Sequence, residues 1–192
     1  MRHQDKYRSF QELARYEREQ IDYRIIVNEV RGARISVVAP HGGAIERGTS
    51  ELARAIAGTD FNLYLFEGLK AQGNFASLHI TSRSFDEPRC LELVSRSNIV
   101  VTVHGCTGDH QAVYIGGLNT DLKSVVDGAL QAAGFTAQQD DHPFPAVDPD
   151  NICNRGITGA GIQLELTRGL RYTRPSGELA PLIRGVLFAH TC

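Results

Sequence analysis

Cysteine is scarce and poorly spaced for a structural role. The four cysteines, Cys90, Cys106, Cys153 and Cys192, form no CxxC pair, which argues against a zinc ribbon. They are also too few to staple a chain of 192 residues, so free thiols in a reducing compartment are expected. No apolar run approaches the ~20 residues that cross a bilayer, so no membrane partner is expected. The opening "MRHQDKYRSFQELARYEREQ" is too charged for a signal peptide. A cytoplasmic protein is expected, released by lysis if it acts outside the cell. A basic excess is missing too. The net charge of -2 leaves no footprint for nucleic acid. Nor does it supply a global field for an anionic substrate, so any such attraction must be local. Internal repeats, linkers and low-complexity segments are lacking, so residues 1–192 are expected to form one domain, and a monomer.

What the chain does have is an alternation of strand-like and helix-like segments. The stretches "YRIIVNEV", "RISVVAP", "FNLYLFEGL", "ASLHITS", "NIVVTVHGC" and "AGIQLELTRG" read as strands. Helices are expected over residues 9–19 with Ser9 as N-cap, and over residues 49–57 with Thr49 or Ser50 as cap and Gly58 beyond the end. Helices are also expected in "DEPRCLELVSR", "DLKSVVDGALQAAG" and "GELAPLIRGVLFAH", the first tolerating Pro88 in its opening turn. Residues 138–155 show no period and hold three of the seven prolines, so they read as a long loop, often a functional one. Continuous apolar strands between helices predict an α/β three-layer sandwich on a mixed, mostly parallel open sheet.

In open sheets of this kind sites lie beyond the carboxyl ends of the strands. His41, His104 and Glu165 all fall at or just beyond such ends. A hydrolytic zinc site needs about three His or carboxylate ligands and a separate base. His41 and Glu46 can offer two ligands from one turn, since Gly42 and Gly43 let the backbone fold back. His104 can supply the third from another strand, leaving Glu165 as general base. Singly, each has a plainer reading: a turn histidine, a solvated loop charge, an edge-strand carboxylate. Glu165 is the hardest to dismiss, because a glutamate inside "QLEL" is expensive to bury unpaired. Other chemistries lack their signatures. "HGG" has no G-x-S-x-G elbow, and HExxH is absent. "GITGAG" precedes a strand instead of opening a helix, unlike a dinucleotide loop. Cys106 as a nucleophile would need a second histidine oriented toward it.

The segments "PHGGAIERGTSELA", "SLHITSRSFDEP", "VTVHGC", "NICNRG" and "GAGIQLEL" cover most of Ala39 to Leu166, about two-thirds of the chain. In order and wording they resemble the phage-associated poly-γ-glutamate hydrolases and their bacterial relatives, within the zinc carboxypeptidase-like fold class. The resemblance implies one zinc ion per chain, held by His41, Glu46 and His104, with Glu165 as base and γ-glutamyl amide bonds as target. The common carboxypeptidase motif spaces its His and Glu three apart; here the spacing is five, with Glu51 as the fallback ligand. His79 is expected as a substrate contact, or failing that a ligand. The carboxypeptidase class grips a substrate carboxylate with an Asn-Arg pair, which implies Asn154 and Arg155, because the planar guanidinium binds carboxylates bidentately. Arg168, Arg171 and Arg174 are read as solvated surface before any extended groove. The implied partner is an anionic glutamyl polymer. A zinc amidohydrolase of small N-acyl amino acids, N-formylglutamate-like, and a non-catalytic phage accessory protein are the alternatives.

Overall fold

The computed structural model describes residues 5–173 and 176–190; Arg174 and Cys192 lie outside them. In chain order the first elements are α1 (Phe10–Leu13), β1 (Tyr23–Asn28), β2 (Ile35–Gly43), α2 (Thr49–Ala57), β3 (Asn62–Gly68) and α3 (Asn74–Leu78). A 3₁₀ turn at Ser82–Ser84 follows, then α4 (Pro88–Ser95), β4 (Ile99–Cys106), β5 (Val113–Gly116), α5 (Thr120–Ala132) and β6 (Ala137–Gln138). A second 3₁₀ turn at Ile152–Asn154, β7 (Ile162–Thr167), α6 (Arg168–Thr173) and α7 (Ser176–Ala189) complete the described chain.

The strands form one sheet in the order β1-β3-β2-β4-β7-β5-β6. The centre, β3, β2, β4 and β7, is parallel, while β1 and β5 run antiparallel to their inner neighbours. Side chains alternate between two cores, as strand geometry requires. Val37, Leu65, Val101 and Leu164 pack on one face with Ile56 of α2, Val126 of α5 and Ile183 of α7. Val38, Tyr64, Phe66 and Val100 pack on the other with Leu13 of α1, Leu78 of α3 and Leu93 of α4. Each fully buried side chain of this size contributes roughly 1.5–3 kcal/mol. The result is the expected three-layer α/β sandwich with a mixed, mostly parallel sheet.

One irregularity positions the site. Strict alternation would put His41 on the face of Val37 and Ala39. Between Ala39 and Gly42, however, β2 carries one more residue than β3, a β-bulge. The bulge turns His41 to the face of Val38, where its ring meets Phe85, 6.4 Å between centroids. On that face β4 and β7 align His104 directly beside Glu165.

Several local expectations change. Residues 76–82 are not a strand: Leu78 ends α3, Leu78 and Ile80 anchor in the second core, and among the described residues the segment joins no sheet. The first helix stops at Leu13, although Ser9 does cap it by accepting from the Glu12 amide at 3.1 Å. Glu17 turns inward instead of continuing the helix, to meet Lys6, Tyr7 and Lys70. Thr49 and Ser50 do not cap α2, which starts after Gly48. Their hydroxyls look back to the turn before it: Thr49 donates to the Glu46 carbonyl at 2.8 Å, and Ser50 accepts from the Gly43 amide at 2.9 Å. Among the described residues no helix is long and apolar enough to cross a membrane.

Candidate metal centre

The turn that carries two of the site's side chains is closed by its own backbone. The Glu46 amide donates to the His41 carbonyl at 2.9 Å, which brings both side chains to one point despite their spacing of five. Gly43 makes the return possible, with φ +62 and no room for a side chain, since a Cβ there would run into the backbone of Gly68. Glu46 then extends to β4, where its Oε2 accepts from the Gly105 amide at 2.8 Å.

His41, Glu46 and His104 meet there, each offering a ligand atom within 4.8 Å of the other two. All three are buried. The His41 Nδ1 lies 3.1 Å from the His104 Nδ1 and 3.3 Å from Glu46 Oε1. The tautomer of His41 follows from its other nitrogen. Nε2 stands 2.8 Å from the Ile80 carbonyl, which only accepts, so Nε2 carries the hydrogen and Nδ1 the lone pair. On His104 it is again Nε2 that meets a partner outside the cluster, the Ser82 hydroxyl at 3.4 Å. Two imidazole nitrogens therefore converge on a carboxylate, each ring's far nitrogen held by the protein. That is the arrangement by which proteins orient histidine ligands. The separations suit a small divalent ion with ligand bonds of ~2 Å, so the donor set fits zinc.

The electrostatics point the same way. Burial alone would lower the His41 pKa, but the Glu46 carboxylate beside it raises it. Burial, with His41 next to it, pushes His104 down to about 3. Burial and the nearby Glu46 charge push the Glu165 carboxyl well above the usual range. The Glu46 charge thus favours positive charge at this buried cluster, on a proton of His41 or equally on a divalent cation.

Glu165 lines the same cleft as the three ligand candidates, a cavity of about 290 Å³. Its Oε1 accepts from Gln163 Nε2 at 3.0 Å, and Gln163 Oε1 accepts from Asn151 Nδ2 at 3.1 Å. The chain of amides fixes the carboxylate's orientation. His79 also lines the cleft, from the end of α3 and not from within a strand. Its ring lies 4.1 Å from that of His41, and its Nδ1 is held by Asp5 Oδ1 at 2.7 Å. Burial and the neighbouring His41 lower its pKa to about 4.

Asn154 and Arg155 are not among the residues that line the cleft. Asn154 Oδ1 accepts from the amides of Leu118 and Gly161 at 3.2 and 3.3 Å. Its Nδ2 donates to the carbonyls of Ala146 and Asp148 at 2.8 and 3.0 Å. The side chain is fully used in shaping the long loop. Arg155 faces Asp150 at 3.8 Å. Arg171 binds the carbonyls of Leu166, Arg47 and Cys106. Arg168 pairs with Asp109. Cys106 is half-buried, and burial first and Glu165 second push its thiol up to about 12, far from a nucleophile.

Sequence reasoning overlooked Asp5, Arg83, Asn151 and Gln163. Gln163 was within reach, because two residues before Glu165 on a strand is the same face. The other three reach the site through tertiary packing that no local pattern signals. A second cavity of about 350 Å³ lies beyond Glu46, lined by Arg47, Phe75, Cys106, Arg171 and Tyr172 among others.

Fold and site together define an α/β protein with a buried His–Glu–His cluster and a glutamate at the carboxyl edge of its parallel strands. Residues 7–174 match the family described as poly-gamma-glutamate hydrolase, and the chain belongs to that family. The UPF0714 protein YndL of Bacillus subtilis strain 168 is 41% identical over 170 residues, 88% of this chain and 66% of that protein. The chain thus spans slightly less than two-thirds of that relative's length. Among solved structures, a bacteriophage poly-gamma-glutamate hydrolase superposes with TM-score 0.92 at 32% identity, covering 98% of this chain and 99% of the other. A zinc-free apo form of YndL superposes with TM-score 0.85 at 36% identity, covering 98% of each chain.

Proposed function

We propose that the chain is a zinc-dependent hydrolase of the γ-glutamyl amide bonds of poly-γ-glutamate. The observation that carries this reading is the convergence of His41, Glu46 and His104 beside Glu165, in a chain of the poly-gamma-glutamate hydrolase family. The existence of a zinc-free form of a 36% identical relative supports zinc as the ion. Bound by these three residues, a zinc ion supplies Lewis acidity toward a carbonyl and toward water.

The chain's own groups do the rest. Glu165 takes the proton of the attacking water and passes it to the leaving nitrogen. Gln163 and Asn151 hold the Oε1 side of that carboxylate, leaving Oε2 for the proton. His79, steadied by Asp5, lies beside the cluster where a substrate carbonyl would enter. Glu46 borders both cavities, and an extended polymer would use both, with part of the chain on either side of the cluster. Two cavities flanking the cluster suit a polymer better than a small N-acyl amino acid, which would need only one.

The test is elemental analysis of the purified protein, then digestion of poly-γ-glutamate with and without chelator, followed by size exclusion. About one zinc per chain and chelator-sensitive shortening of the polymer are expected. Zinc with an untouched polymer would transfer the reading to a small acylated amino acid. A protein that holds no metal would end it.

A further inference from the structure

The cleft is walled on one side by the 3₁₀ turn at Ser82–Ser84 and on the other by the loop from Pro143 to Asn151. Among the described residues a single arginine lines it, Arg83. It reaches across the mouth to Asp148, Nε to Oδ2 at 3.5 Å. We propose that Arg83 grips an α-carboxylate of the anionic substrate, and that Asp148 is the internal carboxylate it leaves to do so. This rests on the poly-γ-glutamate reading, and it assigns the residue that recognises the charge carried by every unit of that polymer.

Position comes first. Arg83 directly follows Ser82, whose hydroxyl touches His104, so its guanidinium stands one residue from the metal cluster's own support. Availability comes second. The Arg83 side chain is 65% exposed, and its Nη atoms make no hydrogen bond among the described residues. Its pair with Asp148 is open to water, the kind worth only about 0–1 kcal/mol, so exchange for a substrate carboxylate is easy. A bidentate guanidinium–carboxylate pair inside the cleft is stronger than this single contact. Third, Asp148 is the fixed partner. Its Oδ1 accepts from the Asp150 amide at 2.9 Å, and its carbonyl accepts from the Asn151 amide and from Asn154 Nδ2, both at 3.0 Å. The arginine therefore moves and the aspartate stays. A carboxylate left at the mouth then opposes the incoming anion, which makes Asp148 a brake on affinity.

The two residues should shift binding in opposite directions, which a merely structural pair would not do. The experiment measures kcat and KM on poly-γ-glutamate for the zinc-loaded wild type, R83Q, R83K, D148N and R155Q, with zinc content and circular dichroism checked for each. R83Q should raise KM about 10–100-fold, the usual range for losing a hydrogen bond to a charged group, with kcat within about threefold. R83K should fall between, since an ammonium keeps charge but not the fork. D148N should lower KM a few-fold. R83Q with a wild-type KM, or D148N with a raised one, overturns the proposal. So does a large KM effect confined to R155Q. A wild type that leaves the polymer intact removes the proposed function and this assignment with it. An active wild type with an indifferent R83Q removes the assignment alone.

Discussion

Gly43→Ala tests whether the turn between His41 and Glu46 is held by backbone contact. Gly43 sits at φ +62, and a Cβ there would lie 2.7 Å from the Gly68 carbonyl oxygen and 3.0 Å from the Gly68 amide nitrogen. Both neighbours are backbone, paired in register with this residue across β2 and β3, so neither can step aside alone. The left-handed conformation costs an alanine about 1–2 kcal/mol. Pressing two paired strands apart adds about 1–3 kcal/mol, the scale of an overpacked core. Gly32 separates the two contributions. It has φ +82 but nothing within 4 Å of its Cβ position, so Gly32→Ala should show the conformational part alone. In urea unfolding, Gly43→Ala should lose roughly 2–5 kcal/mol and Gly32→Ala about 1–2 kcal/mol. At about 2–4 °C per kcal/mol for a chain of this size, the first variant should melt roughly 4–20 °C lower. Because the same turn carries Glu46, a zinc titration should show weaker metal binding for Gly43→Ala and wild-type binding for Gly32→Ala. Equal destabilisation of the two variants would refute the argument, and so would unchanged zinc affinity in a clearly destabilised Gly43→Ala.

Glu165→Gln should keep zinc, which elemental analysis reads, while kcat on poly-γ-glutamate falls about 10²–10⁴-fold; loss of zinc would instead make Glu165 a ligand. Glu17 governs a distinct pH effect. Burial would raise its pKa, but hydrogen bonds from Lys70, Tyr7 and Lys6 outweigh it and hold the carboxyl at about 2, against the usual 4.5. The stabilisation is therefore complete above about pH 4.5 and disappears as pH falls toward about 2, amounting to at most about 3 kcal/mol. Urea unfolding at pH 6 and pH 3 should show a smaller acid-induced loss for Glu17→Gln than for wild type, and parallel losses would refute this account. The Thr102 hydroxyl is wholly buried with no hydrogen-bond partner among the described residues. Thr102→Val, similar in shape, should hold or raise stability by about 1 kcal/mol, with destabilisation beyond about 1 kcal/mol as the contrary result.

The chemistry of this site was more legible than its geometry. Two histidines and Glu165 toward strand ends, with Glu46 in the turn after one of them, stand out, because the apolar runs before them mark where the sheet stops. Convergence on a point is a different matter. Period-two reading puts His41 on the wrong face, and only the bulge corrects it; Pro40 and His41 carry no local pattern that announces an extra residue. "ASLHITS" alternates like a strand while lying outside the sheet, so the pattern points to His79 but not to its place at the end of α3. β5 and β6 escaped notice because four and two residues are too short to show a period. The arginine that lines the cleft, Arg83, comes from the Ser82–Ser84 turn, about seventy residues before Asn154, so no local pattern links it to the site.

The bulge also explains how one sheet face can be both core and active site. Along β4 the residues facing the second core run from Val100 through Thr102 to His104, and along β7 Gln163, Glu165 and Thr167 share that face. Polarity rises toward the carboxyl edge while burial stays nearly complete. Such a gradient costs least where the polar groups have partners. Thr102 has none among the described residues, but the groups of the cluster do. Gln163 holds Glu165, Ile80 holds His41, and Gly105 holds Glu46. On β2 the same face would end at Pro40 if the strand were regular, leaving the cluster one ligand short. One inserted residue brings an imidazole where regular geometry offers a pyrrolidine ring. Its effect on the ladder is small, because β2 regains its pairing with β3 at Gly42. The irregular stretch of the central parallel strands is therefore the one that completes the ligand set, and restoring regular pairing by deleting a residue there should remove metal binding before it unfolds the sheet.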